Sequence, residues 1–227
     1  MRKVEYVSLN NIKADNNYMP TKSRGPLERF LKRVEKKVPR YVPEGNQPWN
    51  RNLGRRLIHY RRVHSFLLEK FKKIGLRGKN VTHMGAGNGV YCDFLRNHYK
   101  VNTTAVELDL DHVTHQTKRG IHANFMQKMA ENTELPTASQ DIVLSDFFLF
   151  AHYDKIINEP RIITELARIT KPKGIVIIER ATAEAFKLMR PLLEKEFEVE
   201  KYVDESESGE PDLKYNGLMI VLRRKGH

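Results

Sequence analysis

The chain has 227 residues, 40% of them hydrophobic, a mean hydropathy of −0.59 and a net charge of +12. No apolar run reaches the roughly 20 residues of a membrane-spanning helix, the start carries no apolar signal core, and Cys92 has no partner for an internal disulfide. These features argue against a membrane span or a disulfide scaffold and lead us to expect a cytoplasmic protein in a reducing compartment.

The charge is unevenly spread. Residues 1–79 hold 21 Lys+Arg against 6 Asp+Glu, a net of +15, and residues 80–227 hold 19 against 22, a net of −3. Such asymmetry suggests a polyanionic partner for the first third of the chain.

Residues 1–26 are polar, with Asn10, Asn11, Asn16, Asn17 and Pro20. They read as a poorly ordered arm, with room for one short strand at Val4 to Leu9. From Pro26 to Val38, the residues Leu27, Phe30, Leu31, Val34 and Val38 fall at helical spacing, and Pro26 suits a first turn. Pro39, Pro43 and Pro48 then forbid a helix, so 39–50 is expected to be an irregular linker ending at Trp49. Asn52 to Ile74 resumes a helical pattern, with Leu53, Leu57, Tyr60, Val63, His64, Leu67 and Phe71 on one stripe. The expected division is a basic helical N-terminal extension over 1–50 and one domain over 51–227.

The cations here include Lys32, Lys36, Lys37, Arg40, Arg51, Arg55, Arg56, Arg61 and Arg62. They could grip phosphates while Tyr41, Trp49 and Tyr60 stack on bases, which favours RNA over DNA. The plainer reading is a solvated helix face lying over a ligand.

Val81-Thr82-His83-Met84 leads into Gly85-Ala86-Gly87-Asn88-Gly89, and a helix pattern follows at Val90 to Asn97. Strand, glycine turn and helix in that order bring bare backbone and unpaired N–H groups close to a ligand. Thr103 to Val106 reads as a second strand, with Glu107 at its end about twenty residues after the glycines, where an acid suits the two hydroxyls of a ribose. A dinucleotide fingerprint would place its third glycine at Val90. The GxGxG spacing here points instead to an adenosyl ligand without a pyrophosphate.

Beyond the turn, strands are expected at 80–84, 103–107, 122–126, 141–145 and 174–179. Helices are expected at 89–98, 111–119, 158–169 and 182–195. This alternation indicates a parallel sheet with helices on both faces. Phe197 to Asp204 and Gly217 to Arg223 read as two final strands joined by a polar loop, Glu205 to Tyr215. His112, His115 and His122 with Asp109 and Asp111 fit no strong metal-ligand spacing, so no metal is assigned.

Four segments, in order, resemble the class I S-adenosylmethionine-dependent methyltransferases. They are Val81 to Gly89, Val106-Glu107-Leu108, Gln127 to Asp141, and Leu166 to Gly174. The resemblance covers roughly Val81 to Arg223. It implies a Rossmann-like, mostly parallel sheet with an antiparallel C-terminal strand and S-adenosylmethionine as cofactor. The residues it implies for the cofactor are His83, Gly85, Ala86, Gly87, Gly89, Glu107, Leu108, Met129, Ala130 and Asp146. Two of them depart from the family. His83 stands where an acid usually faces the cofactor's ammonium, and Met129 where an Asp often meets the adenine amino group. Ala130 or Glu131 would then do the polar work. Asp146 matches by spacing the first residue of the Asp/Asn-Pro-Pro-aromatic motif of amino-group methyltransferases, without its prolines, and is the candidate catalytic residue. One of Arg55, Arg61 or Arg62 could hold the cofactor's carboxylate. The expected activity is methyl transfer to RNA or another polyanion. The alternatives are a small-molecule or protein methyltransferase, or a methyltransferase-like protein that binds nucleic acid without catalysis.

Overall fold

The chain runs through a helix over residues 63–70 (α1), then Asn80–Met84 (β1), Val90–Tyr99 (α2), Asn102–Val106 (β2), Phe125–Met126 (β3) and Gln140–Asp146 (β4). Glu159–Ile169 (α3), Thr170–Ala181 (β5), Ala183–Glu196 (α4), Phe197–Val203 (β6) and Leu218–Arg224 (β7) complete it. The structure, a computed structural model, describes residues 26–27, 29–30, 63–87, 89–108, 123–146, 159–181, 183–203 and 218–226. The expected arm at 1–25, the linker at 39–50, most of the 52–74 helix, the 111–119 helix and the 205–215 loop lie outside those residues. So do the named cations and aromatics from Lys32 to Arg62, Asp109, Asp111, His112, His115, His122, and Phe147 with Phe148.

One seven-stranded sheet has the order β3-β2-β1-β4-β5-β7-β6. The first five strands pair in parallel, and β7 pairs antiparallel with both β5 and β6. The order follows from residue type. Ile142, Val143 and Leu144 in β4, and Ile175 to Ile178 in β5, are all nearly fully buried. A strand apolar on both faces belongs in the middle of a sheet with helices on either side.

The two faces carry separate cores. On one, Val81, Ile142, Leu144, Ile175 and Ile177 pack against Val63 and Leu67 of α1, Tyr91, Phe94 and Leu95 of α2, and Leu27. On the other, Met84, Val143, Val176 and Ile178 pack against Ile162 and Leu166 of α3 and Leu193 of α4. Each large apolar side chain so buried stabilises the fold by roughly 1.5–3 kcal/mol. The helical stripe expected around Val63, His64 and Leu67 is the face of α1 that enters the first core.

Among the described residues, expected and observed elements agree to within a residue or two, with two exceptions. The strand expected at 122–126 is only Phe125–Met126. The expected strand at 174–179 is part of a longer β5, Thr170–Ala181. Lys171-Pro172-Lys173-Gly174 reads as a turn, and Lys173 does take φ 64°. Yet Thr170 is already in register with Gln140, and the irregularity is absorbed as a register shift before Ile142. Gly174 is required there: a Cβ would lie 2.8 Å from Lys171 O and 3.2 Å from Asp141 O.

The chain leaves β1 for β2 and β3 on one side, then begins β4 on the other. At that reversal two neighbouring connections run away from each other, and a crevice opens beyond the carboxyl ends of β1 and β4.

Candidate functional site

The crevice is floored by the glycine turn. Gly85, Gly87 and Gly89 all have positive φ, at 69°, 54° and 63°. The turn is tied to β2: the N–H groups of Gly85 and Ala86 both donate to Val106 O, at 3.0 and 3.2 Å. Gly89 opens α2, and Asp93 N–H donates to Gly89 O at 3.0 Å. A Cβ on Gly89 would lie 2.5 Å from Phe125 Cζ and 2.9 Å from Ala123 Cβ. The main chain of the turn therefore sits against β3 with no room for a side chain.

Glu107 follows β2 directly. Its Oε2 accepts the Gly87 N–H at 2.7 Å, and its Oε1 accepts the Leu108 N–H at 2.9 Å. The carboxylate is thereby fixed over the glycine turn.

Leu108 and Met129 bound the same region. Both are large and apolar yet more than half exposed, at 58% and 55%. Gln127 Nε2 donates to Leu108 O at 3.1 Å, which joins their two segments. Ala130 is half-buried against the core on the α3 side. The 129–133 turn is anchored by Glu165 of α3, whose Oε1 accepts from Thr133 N at 2.8 Å and from Thr133 Oγ1 at 2.6 Å. Burial works to raise the pKa of Glu165. Hydrogen bonds from Arg168 and Thr133 outweigh it and hold the carboxyl below its usual range.

The structure thus brings Gly85, Ala86, Gly87, Gly89, Glu107, Leu108, Met129 and Ala130 to one end of the sheet. Asp146 ends β4 at the same level, in register with Glu179 of β5. His83 stands apart. It lies one residue inside the end of β1, paired with Ala105 and Leu144, and is 2% exposed. Its ring meets Tyr91 of α2 edge-on, with centroids 6.5 Å apart, within the core on the α2 side.

Two residues at this end escape sequence reasoning. Glu179 is a buried acid, 5% exposed, near the carboxyl end of β5. Its signal is a charge closing the apolar run Ile175 to Ile178. Ser145, 1% exposed, directly precedes Asp146, and its Oγ has no hydrogen-bond partner among the described residues. A buried hydroxyl left unpaired costs about 1–3 kcal/mol, so it marks a place where a ligand atom is welcome. Cys92 is no nucleophile: it is buried in α2, and burial, then the neighbouring Asp93, pushes its thiol up to about 12. Among the described residues no group of three or more His, Cys, Asp or Glu could hold a metal ion. No helix among them is long and apolar enough to cross a membrane.

A profile of the family described as "Methyltransferase domain" matches residues 82–178, from β1 into β5. No curated protein matches the sequence. Among solved structures, a candidate S-adenosylmethionine-dependent methyltransferase from Listeria monocytogenes aligns with TM-score 0.54 and 16% identity. It covers 72% of this chain and 100% of its own. The PH0226 protein from Pyrococcus horikoshii OT3 aligns with TM-score 0.59 and 14% identity over 80% of this chain and 100% of its own. The N-methyltransferase NodS from Bradyrhizobium japonicum WM9 gives 0.55 and 14%, over 73% and 96%. At such identities the structural likeness speaks for the fold, and the profile match speaks for the domain within it. Sheet order and reversal point are those of the methyltransferase fold seen in these structures, and residues 82–178 carry the matched methyltransferase domain.

Proposed function

We propose that this methyltransferase acts on RNA, or on a polyanion of similar charge density. S-adenosylmethionine is its cofactor. The residues present fit that molecule, because the turn at 85–89 offers bare backbone, Glu107 is held over it, and Leu108 and Met129 leave apolar surface uncovered beside it.

In this reading Glu107 accepts the ribose hydroxyl protons, and Leu108, Met129 and Ala130 cover the adenine. The glycine turn lies along the adenosyl group, and Ser145 Oγ donates to a polar atom deeper in the crevice. His83, buried against Tyr91, adds no anion, so affinity rests on Glu107 and the main chain. When bound, the cofactor supplies a methyl group already activated by its sulfonium. What remains for the protein is in-line placement of the acceptor and exclusion of water. Asp146, by its place at the end of β4, would orient the acceptor or take its proton.

The observation that carries the RNA reading is the charge split, +15 in residues 1–79 against −3 in the rest. The test is to incubate the enzyme with methyl-labelled cofactor and total RNA, DNA or protein, and to locate the label by mass spectrometry. Label in RNA alone is the expected result, and label confined to protein or small molecules rejects it.

A second reading, a small neutral or cationic acceptor, is favoured by the acids around the crevice. Glu107, Asp146 and Glu179 all lie at the carboxyl ends of strands. The non-catalytic alternative is separated by calorimetry: micromolar cofactor binding supports an enzyme, and millimolar or absent binding supports a binding protein.

A further inference from the structure

The two ends of the sheet differ in charge. At the carboxyl ends, the described segments 85–87, 107–108, 127–134 and 145–146 hold Lys128 against Glu107, Glu131, Glu134 and Asp146, and Lys128 is paired with Glu134 at 2.5 Å. At the amino ends of β1, β2, β4 and β5 the balance reverses. The turn into β1, residues 71–80, brings Lys72, Lys73, Arg77 and Lys79. The turn into β2 brings Lys100, and the start of β5 brings Lys171 and Lys173. The only acid in those segments and in 136–141 is Asp141.

These turns form one surface. Gly78 N–H donates to Lys100 O at 3.0 Å, and Asn102 N–H donates to Lys79 O at 2.9 Å. Asn80 N–H donates to Asp141 Oδ2 at 2.8 Å, and Lys171 Nζ pairs with Asp141 Oδ1 at 3.0 Å. The one acid is thus already matched.

Along α3, α4 and the β6–β7 edge several cations stand beside acids. Lys70 and Arg223 share Glu200, Arg168 holds Glu165, Arg190 holds Glu194 and Arg224 holds Glu196. In the turns into β1 and β5 four cations lack such an acid among the described residues. Lys72, Lys73, Arg77 and Lys173 are exposed and make no ion pair among the described residues. Helix C-termini also draw cations to this end, but that attraction fades beyond the last turn. Arg77 and Lys173 lie beyond it.

We infer that the amino-end face of the sheet is a docking surface for the phosphodiester backbone of RNA. It lies on the opposite side of the domain from the methyl-transfer crevice. β1 alone separates the two ends by roughly 16 Å, at about 3.3 Å per residue. A bound RNA therefore reaches round the domain, and its anchoring contacts are not those that meet the methyl group. Phosphate contacts of this kind set position and affinity and read no sequence. The inference rests on the nucleic-acid reading above and adds the location of the grip.

The test uses the full chain and a labelled single strand of mixed-sequence RNA, titrated by fluorescence anisotropy at several salt concentrations. The variant is Lys72→Gln, Lys73→Gln, Arg77→Gln and Lys173→Gln together. Four lost phosphate contacts should lower the slope of log K against log salt by about 3 and weaken binding at 0.1 M salt by two to three orders of magnitude. The melting temperature and the affinity for S-adenosylmethionine should stay unchanged. A charge-matched control, Lys128→Gln, Arg161→Gln, Lys187→Gln and Arg190→Gln, should lose far less. A third variant, Arg55→Gln, Arg56→Gln, Arg61→Gln and Arg62→Gln, separates the two claims. If it abolishes binding while the amino-end variant binds as wild type does, the docking face is overturned and the RNA reading survives. Equal losses in control and test variants also overturn the face. Wild-type protein that ignores RNA overturns both.

Discussion

Removing the carboxylate of Glu107 tests the site most directly. In the structure that carboxylate is already positioned, by the Gly87 N–H at 2.7 Å and the Leu108 N–H at 2.9 Å. In the proposed pose it accepts two ribose hydroxyls. A hydrogen bond to a charged group contributes about 1.5–3 kcal/mol, so two contribute about 3–6 kcal/mol. Glu107→Ala should therefore raise the Kd for S-adenosylmethionine by a factor of about 10² to 10⁴. The fold should lose about 1–3 kcal/mol, since the Leu108 N–H released is exposed but the Gly87 N–H is part-buried. Glu107→Gln keeps the shape and one acceptor but loses the charge, and should fall between wild type and alanine. Calorimetric titration gives the affinities, and urea unfolding gives the stability on the same samples. A folded Glu107→Ala protein that binds the cofactor within about threefold of wild type would falsify the placement of the ribose.

Three further expectations follow from the same geometry. Gly87→Val, at a buried position with φ 54°, should abolish cofactor binding by calorimetry while circular dichroism stays native. Gly89→Ala adds a Cβ 2.5 Å from Phe125 Cζ at φ 63°, and should cost about 2–4 kcal/mol by urea unfolding. Gly75→Ala has φ 72° but open space around it, and should cost only about 1–2 kcal/mol; equal losses would show that contact with Phe125 is irrelevant. His64 is 7% exposed, and burial, then nearby His98, lowers its pKa to about 4. The unfolded chain therefore binds more protons than the native one between pH 6.5 and 4. Stability should fall by up to about 3 kcal/mol as pH drops through that window. His64→Phe should flatten the pH dependence there, and a persistent slope would assign it to other groups.

Acid lability below that window has a different source. Burial works to raise Glu200, but Lys70 and Arg223 outweigh it and hold the carboxyl below its ordinary range. Burial likewise opposes the lowering of Asp141, which the Asn80 N–H and Lys171 bring about. The stability these groups contribute is present above the unfolded pKa and is lost as pH falls through the folded one.

The local signals in the sequence were strong because each depends on near neighbours. Three glycines on alternate positions demanded a backbone that other residues avoid, and all three have positive φ. Apolar runs at Ile142 to Leu144 and Ile175 to Ile178 demanded burial on two faces, and so a central parallel pair. The twenty-residue interval to Glu107 places that acid beside Gly87 because one strand, one helix and one turn fill it. What sequence spacing does not encode is which residues meet across the sheet. Glu179 is invisible as a site residue until β5 lies beside β4 and sets it level with Asp146. The start of β5 is equally hidden, because Pro172 and Gly174 look like a turn until Thr170 pairs with Gln140.

For this protein the amino-acid order by itself pointed to a methyltransferase-like domain, the glycine turn and the acid that follows β2, since those are matters of backbone freedom and short-range spacing. Only the tertiary structure decided that Lys72, Lys100 and Lys173, far apart in the chain, share one end of the sheet while Glu107, Asp146 and Glu179 stand at the other. Charge adds up over space, and which charges are neighbours is fixed by strand order alone.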